Sequence, residues 1–331
     1  MPDFIAGLRK RRTVSGRAHE IACWCALTVL TLIVMTGAGV RLTGSGLGCS
    51  DWPRCSGESP LPTNSHAYIE WGNRMITTPT VLFCGLALVF ALLRTEYRRD
   101  FVRLAGFLVA AVFAQAILGG ITVLTHLNAP VVSAHFILSM ITMTVAVVLV
   151  WRVRRDRSGR PQRPPRDPQV VLAVRLLAAV GAVTVFAGTL VTASGPHSGG
   201  EGTGDDVDRL SIFGSDTFRT LITSHARIAT LFGILTIAVF AFAWVRRQAW
   251  DLLLPLAATS ALTGAAGLIG HLQYHVFAYP EDLVWVHVIV VALLWNAISW
   301  SLVSSGLGRE AQIRDIEAPT AATRPPDLVA S

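Results

Sequence analysis

Charged residues are scarce in this 331-residue chain. Asp, Glu, Lys and Arg make up 15% of it, against about 25% in a typical soluble domain. The hydrophobic share is 52%, and long apolar runs alternate with short basic stretches. This composition excludes an ordinary soluble enzyme or binding domain. A cleavable signal peptide is not expected either, because the first apolar run is too long and lacks a small-residue cleavage site.

Eight apolar runs are long enough to cross a bilayer, whose hydrocarbon core needs about 20 residues of helix. We therefore predict an all-α, polytopic membrane protein with eight transmembrane helices. The predicted spans are residues 21–39, 71–93, 102–124, 131–151, 170–192, 221–244, 250–270 and 283–303.

The basic residues are distributed unevenly between the two sides of these spans. Most of the 28 lie before the first run, in the second, fourth and sixth connections, and in the tail. This asymmetry predicts a multi-pass protein of the inner (cytoplasmic) membrane with both termini in the cytoplasm. The placement of the basic residues thus orients the chain among membrane lipids. Although the net charge is +7, we expect no nucleic-acid partner.

The two halves of the chain look alike. Asn73 and His225, at the starts of the second and sixth runs, have the same offset in sequence as His135 and His287. An identical offset at two places predicts a duplicated unit, giving two similar four-helix bundles. We divide the chain into a cytoplasmic segment 1–20, a first half 21–151, a Pro- and Arg-rich linker 152–169, a second half 170–303 and a disordered cytoplasmic tail 304–331.

The second half carries a pair of intramembrane histidines, His225 and His287. Ionisable groups inside a bilayer are costly, so each is a functional candidate. Both lie near the external ends of the sixth and eighth runs, which the alternating direction of successive helices puts on the same side. A heme iron could take two facing imidazoles there. The alternative is that each imidazole only hydrogen-bonds a neighbouring helix. The duplicated positions favour heme.

The first half offers His135 and Asn73 at the equivalent positions, and Asn is a poor iron ligand. Glu70, Asn73 and Arg74 share one helix face through their i, i+3, i+4 spacing. Glu70 either pairs with Arg74 or handles protons beside an iron with an open coordination position.

Two further histidines, His66 and His126, lie close enough to the second or fourth run to supply a second ligand in the first half. In the first external loop, Cys49 and Cys55 face an oxidising compartment. They form either a disulfide or two free thiols.

Several motifs resemble those of the heme A synthase family, in its cysteine-containing bacterial branch. The resemblance covers Thr36 to Trp300 in order. The motifs are TGAGVRLTGSGLGCSDWPRC, YIEWGNR, GGITVLTHLNAPVVSAHF, TASGPHSG and LVWVHVIVVALLW. Members of this family are eight-helix membrane proteins with two similar halves. They oxidise the C8 methyl group of heme O to a formyl group, which gives heme A for cytochrome c oxidase.

The resemblance implies specific roles for this chain's residues. His225 and His287 match the ligands of a resident heme b, and the first half would bind heme O as substrate. Glu70 matches the family's catalytic carboxylate, and the loop cysteines match Cys49 and Cys55. Asn73 departs from the pattern, since many members have a histidine there. A second loop cysteine pair is missing, which implies a single disulfide.

Together these observations predict an oxidoreductase in which His135 ligates heme O, with Glu70, Asn73 and Arg74 as the catalytic group. Heme O would come from heme O synthase and electrons from a donor that the sequence does not identify. Cytochrome c oxidase assembly would use the product, and a homo-oligomer is compatible with the sequence. The alternatives are a non-catalytic di-heme b-type cytochrome linked to quinone and a heme-handling chaperone.

Overall fold

The computed structural model describes residues 7, 13–49, 51–55, 62, 64–159, 166–197, 199–205 and 207–307. The tail predicted to be disordered lies outside the described residues from position 308 onward. So do residues 160–165 of the predicted linker and most of the segment before residue 13.

Eight long helices make up most of the described chain. All are long and apolar enough to cross a membrane, since 22 to 29 residues correspond to about 33–44 Å of helix. The prediction of an all-α polytopic membrane protein with eight helices is confirmed. The helices are α1 (Gly16–Leu42), α2 (Ser65–Leu93), α3 (Arg99–Leu124), α4 (Ala129–Arg157), α5 (Pro168–Ser194), α6 (Thr217–Val245), α7 (Trp250–His275) and α8 (Glu281–Leu302).

Helices α1 and α2 begin five or six residues before the predicted apolar runs because polar side chains cap their first turns. The Asn64 side chain accepts a hydrogen bond from the Ala67 N–H at 2.9 Å, so α2 begins at Ser65 and not near residue 71. Ser15 caps α1 in the same way through Ala18. Asn and Ser are favoured at this position because they satisfy N–H groups that lack a partner in the first turn.

The contacts between helices form two groups. In the first, α1 contacts α2 and α4, and α3 contacts the same two helices. In the second, α5 contacts α6 and α8, and α7 contacts the same two. Helix α8 also contacts α1 and α4 across the division between the groups. The similarity of these groups as two bundles, and the domain division, stay predictions.

Two sides of the molecule can be named from the helix ends. The arginine-rich side carries the start of α1, the α2–α3 and α6–α7 connections and the end of α4. The loop side carries the two long connections, after α1 and after α5. Which side faces the cytoplasm stays a prediction.

The two large hydrophobic cores lie toward the arginine-rich side, and a small cluster of Cys49, Cys55 and Ala67 lies on the loop side. On α3 the first core ends at Val112, and on α4 it starts at Met140. On α6 and α8 the second core starts at Phe232 and Leu294. The predicted ligand residues are therefore outside both cores, between them and the loop side.

Ion pairs join helices on the arginine-rich side. The Asp100 carboxylate is 2% exposed and accepts hydrogen bonds from Arg98 and from Arg152 on α4. Asp156 pairs with Arg94 and Arg98. Buried carboxylates need such partners, because an unpaired buried charge is costly.

Helix α8 is hydrogen-bonded to the first group of helices at two levels. Near the loop side, the Trp285 indole N–H donates to the Met35 carbonyl at 2.8 Å. Deeper in the bundle, the Trp295 indole donates to the Met140 carbonyl at 2.8 Å.

Candidate functional site

His225 and His287 lie on α6 and α8, toward the loop side of the second helix group. Both side chains are half-buried, and they lie close enough to interact electrostatically. In each, Nδ1 is buried without a hydrogen bond of standard geometry among the described residues. The Thr184 carbonyl is near the His225 ring and the Ala266 carbonyl is near the His287 ring. The two imidazoles predicted as a pair are thus brought together.

His135 occupies the corresponding place on α4 in the first group. Its Nδ1 is also buried without a partner in the described chain. Gln115 on α3 donates to the His135 carbonyl at 3.1 Å and to the Ser139 hydroxyl at 2.8 Å. These bonds fix the turn of α4 that carries the histidine.

Asn73 on α2 is held by a residue that the sequence analysis did not select. The Thr36 hydroxyl on α1 lies 2.7 Å from the Asn73 Oδ1 and donates to it. The amide oxygen is therefore engaged, while the NH₂ group keeps its two donors.

Glu70 and Arg74 are one helical turn apart and form an ion pair at 2.5 Å. The second oxygen of Glu70 accepts the backbone N–H of Cys49 at 2.8 Å. Arg74 donates to the carbonyls of Asp51 and Arg54, each at 3.1 Å. The pair thus binds the backbone of the loop that precedes α2.

That loop is closed by a disulfide between Cys49 and Cys55, which confirms the predicted bond. Between the cysteines, the Trp52 ring lies on the bare backbone of Gly120 on α3. A Cβ at position 120 would be 2.7 Å from that ring. Gly120 adjoins Gly119, which faces His135. The disulfide loop therefore lies beside the first-half site.

His66 and His126 have different surroundings. The Nδ1 of His66 is 2.8 Å from the Ser45 hydroxyl, and its ring packs against Gly202 of the second long loop. His126 is exposed just after α3, with φ +50°. Both lie in the layer of loops, and their service as iron ligands stays a prediction.

The residues present fit heme better than a bare metal ion. Within the described residues, no group of three His, Cys, Asp or Glu side chains is placed to hold a metal ion. A heme iron needs only one or two axial ligands from the protein, and histidine is the commonest. The half-buried imidazoles with orphaned Nδ1 atoms, outside the packed cores, match that requirement.

The model of the COX15-CtaA family, described as "Cytochrome oxidase assembly protein", matches residues 20–196. This is more than half of the chain. The chain belongs to this family. The matched segment contains Glu70, Asn73, Arg74 and His135, and it ends before His225.

Curated relatives carry the name "Heme A synthase". The protein of Lysinibacillus sphaericus is 37% identical over 127 residues, which is 37% of this chain and 39% of that protein. Those of Geobacillus kaustophilus and Bacillus pumilus are each 34% identical, over 106 and 116 residues. These matches cover 31% and 34% of this chain, and 33% and 38% of the relatives. The chain thus matches well under half the length of these relatives.

Proposed function

We propose that this member of the COX15-CtaA family is a heme A synthase, which oxidises the C8 methyl group of heme O to a formyl group. The observation that carries the proposal is the placement of His135, His225 and His287. All three are half-buried, lie outside the packed cores toward the loop side and keep an orphaned Nδ1. The name of the curated relatives supports the same reaction.

In the second half, His225 and His287 are the residues that would hold the iron of heme b. The residue pair comes from α6 and α8, which do not adjoin in sequence but lie in the same helix group. A heme b bound there would supply one-electron transfer. The protein's part is to keep both imidazoles in place, since an iron with two fixed ligands changes little on reduction.

In the first half, His135 would ligate the iron of the substrate heme O from one side. Asn73 lies at the position equivalent to the second histidine and does not replace it as a ligand. Thr36 holds its amide oxygen, so the NH₂ group is the part of Asn73 available to donate a hydrogen bond. We propose that it orients an oxygen or water molecule on the open side of the substrate.

The reaction itself consists of successive hydroxylations of the methyl carbon. They give a geminal diol, which loses water to leave the formyl group. With O2 as the oxidant, each hydroxylation consumes one O2, two electrons and two protons, and it releases one water molecule. The sequence indicates Glu70 as the acid for proton transfer. Its contacts with Arg74 and the Cys49 N–H indicate a second role in positioning the loop. We propose that Glu70 and Arg74 position the disulfide loop, with proton transfer through Glu70 tested separately below.

The remaining partners are proposals of the same kind. Heme O would be delivered by heme O synthase, and heme A would be used in cytochrome c oxidase assembly. Both termini would be cytoplasmic, which places the heme sites near the external surface. An electron donor would reduce heme b from that side or through the membrane.

Pigment analysis tests the activity. The protein is expressed with and without a source of heme O, purified, and its hemes are extracted and identified by mass. We expect heme A or the hydroxymethyl intermediate only when heme O is supplied, and neither in His135→Ala. Heme b alone under both conditions would instead indicate a di-heme cytochrome, and unaltered heme O would indicate a chaperone.

A further inference from the structure

Each of the three histidines lies against a glycine of the preceding helix. A Cβ built on Gly188 of α5 would be 3.3 Å from the Cε1 of His225. The corresponding distance from Gly270 of α7 to the His287 Cε1 is 3.5 Å. Gly119 of α3 would approach the His135 Cε1 to 3.4 Å. The ring edge of every candidate ligand therefore packs on bare helix backbone.

Asn73 completes the set. The nearest atom to a Cβ on Gly37 of α1 would be the Asn73 Nδ2, at 3.8 Å. Gly37 and Gly188 have the same offset in sequence as Gly119 and Gly270. We refer to these four residues, Gly37, Gly119, Gly188 and Gly270, as the facing glycines.

The contact is not a general property of glycines in these helices. On α7, a Cβ at Gly264 or Gly267 would meet nothing within 4 Å, and the same is true of Gly106 on α3. Among the glycines named here, Gly119 is the one on α3 that faces a histidine, and Gly270 is the one on α7. These other glycines supply matched controls on the same helices.

Beside Gly188 and Gly270, the helix backbone has a second contact with the histidine ring. The Thr184 carbonyl, near His225, is four residues before Gly188, and the Ala266 carbonyl, near His287, is four residues before Gly270. Residues four apart lie on one helix face. One turn of helix thus offers the imidazole both a bare surface and a nearby hydrogen-bond acceptor.

We propose that Gly119, Gly188 and Gly270 are positioning residues that fix the orientation of the ligating imidazoles. A Cβ at Gly188 would already crowd Cε1, and a larger side chain at Gly119 or Gly270 would do the same. The imidazole can respond only by rotating about its two side-chain torsions, which changes the orientation of the ring. Gly37 keeps the same space open beside Asn73. The inference rests on the proposed function only in that the histidines ligate iron, whether or not heme A is formed.

The graded series Gly270→Ala and Gly270→Val tests this proposal. The alanine Cβ would make an ordinary contact at 3.5 Å, so we expect Gly270→Ala to keep heme b with the wild-type low-spin EPR g-values. Valine adds methyl groups beyond that contact, and we expect at least a tenfold loss of low-spin heme per protein. Gly264→Val on the same helix should retain the wild-type heme content and g-values.

Gly188→Ala offers an independent measurement at a tighter contact of 3.3 Å, and it should shift the g-values more than Gly270→Ala. This comparison decides the question even where Gly270→Val does not insert into the membrane. Unchanged g-values and heme content in Gly188→Ala would overturn the proposal. Low-spin heme without any heme A would reject the proposed enzyme activity and leave this inference standing.

Discussion

The carboxylate of Glu70 accepts the backbone N–H of Cys49 at 2.8 Å, so an acid on α2 is bonded directly to the disulfide loop. Its other oxygen binds Arg74, which in turn donates to two carbonyls of that loop. The acid that the sequence nominates for proton transfer is thus fully occupied in the described structure. Loop positioning and proton transfer make different predictions.

Glu70→Ala should disorder the loop. It leaves the buried Cys49 N–H without an acceptor, at a cost of about 1–3 kcal/mol, and frees Arg74 from its partner. Glu70→Gln keeps an acceptor for Cys49 while removing the acid. If Glu70 acts by positioning, the glutamine variant should retain much of the heme A yield and the alanine variant little.

The measurement is heme A per purified protein, together with the rate of proteolysis within the loop as a readout of its order. A glutamine variant with an intact loop and no heme A would assign proton transfer to Glu70 itself. Tyr68→Phe, on an exposed position of the same helix, controls for nonspecific effects.

His225→Ala and His287→Ala should each abolish the low-spin heme b signal, because either change removes one of two axial ligands. The measurement is EPR and reduced-minus-oxidised optical spectroscopy of purified protein. His126→Ala, at an exposed position after α3, should leave the signal unchanged. An unaltered low-spin spectrum in both ligand variants would place the resident heme elsewhere.

Removing the disulfide should lower activity moderately. A closed loop of this size stabilises a protein by about 2 kcal/mol in the chain-entropy estimate, and the loop positions Trp52 beside the first-half site. We therefore expect a several-fold lower heme A yield in Cys49→Ser/Cys55→Ser, with heme b content retained. Mass spectrometry of unreduced protein should find no alkylatable thiol at either position in the wild type; two would contradict the bond.

Asn73→His should convert the first-half site toward a six-coordinate one, since Gly37 leaves space beside that position. Wild-type protein loaded with heme O should show a high-spin component that binds carbon monoxide when reduced. The variant should be more low-spin, bind carbon monoxide less and form heme A more slowly. Spectroscopy before and after carbon monoxide addition measures the change.

The same experiment examines the two competing histidines. His66→Ala and His126→Ala should leave the spin state unchanged, whereas a new high-spin component in either would make that residue the second ligand.

Thr36→Val removes the donor to the Asn73 oxygen. It should lower the yield of heme A without changing the amount of heme b. If wild-type protein loaded with heme O were fully low-spin, the proposal that heme O is ligated from one side only would be wrong.

The helices are well predicted from the sequence because the bilayer imposes its requirements on each span separately. A span must be long, apolar and continuous, and the arginines mark the connections. The equal offsets of Asn73, His135, His225 and His287 likewise depend on position alone. Their shared level on the loop side follows from counting antiparallel helices, and the structure agrees.

The side-chain contacts of the site were not predictable from the sequence because they depend on neighbours that are distant in sequence. Nothing local to Glu70 indicates that its partner is the Cys49 N–H, and nothing near Thr36 indicates Asn73. In the sequence, the facing glycines cannot be distinguished from the other glycines of these helices. Their role in positioning a side chain can be inferred only when the neighbouring side chain is known. The predicted apolar run begins at residue 71, whereas α2 begins at Ser65. His66 and Glu70 interrupt the apolar pattern there without interrupting the helix.

Helix α8 links the packing of the two helix groups to the order of synthesis. Its Trp285 and Trp295 side chains complete hydrogen bonds to α1 and α4, yet α8 is the last of the eight helices to leave the ribosome. The first group of helices therefore reaches its final packing only after synthesis of the second is finished. A chain that stops before α8 would lack these two hydrogen bonds as well as the contacts of α8 within its own group.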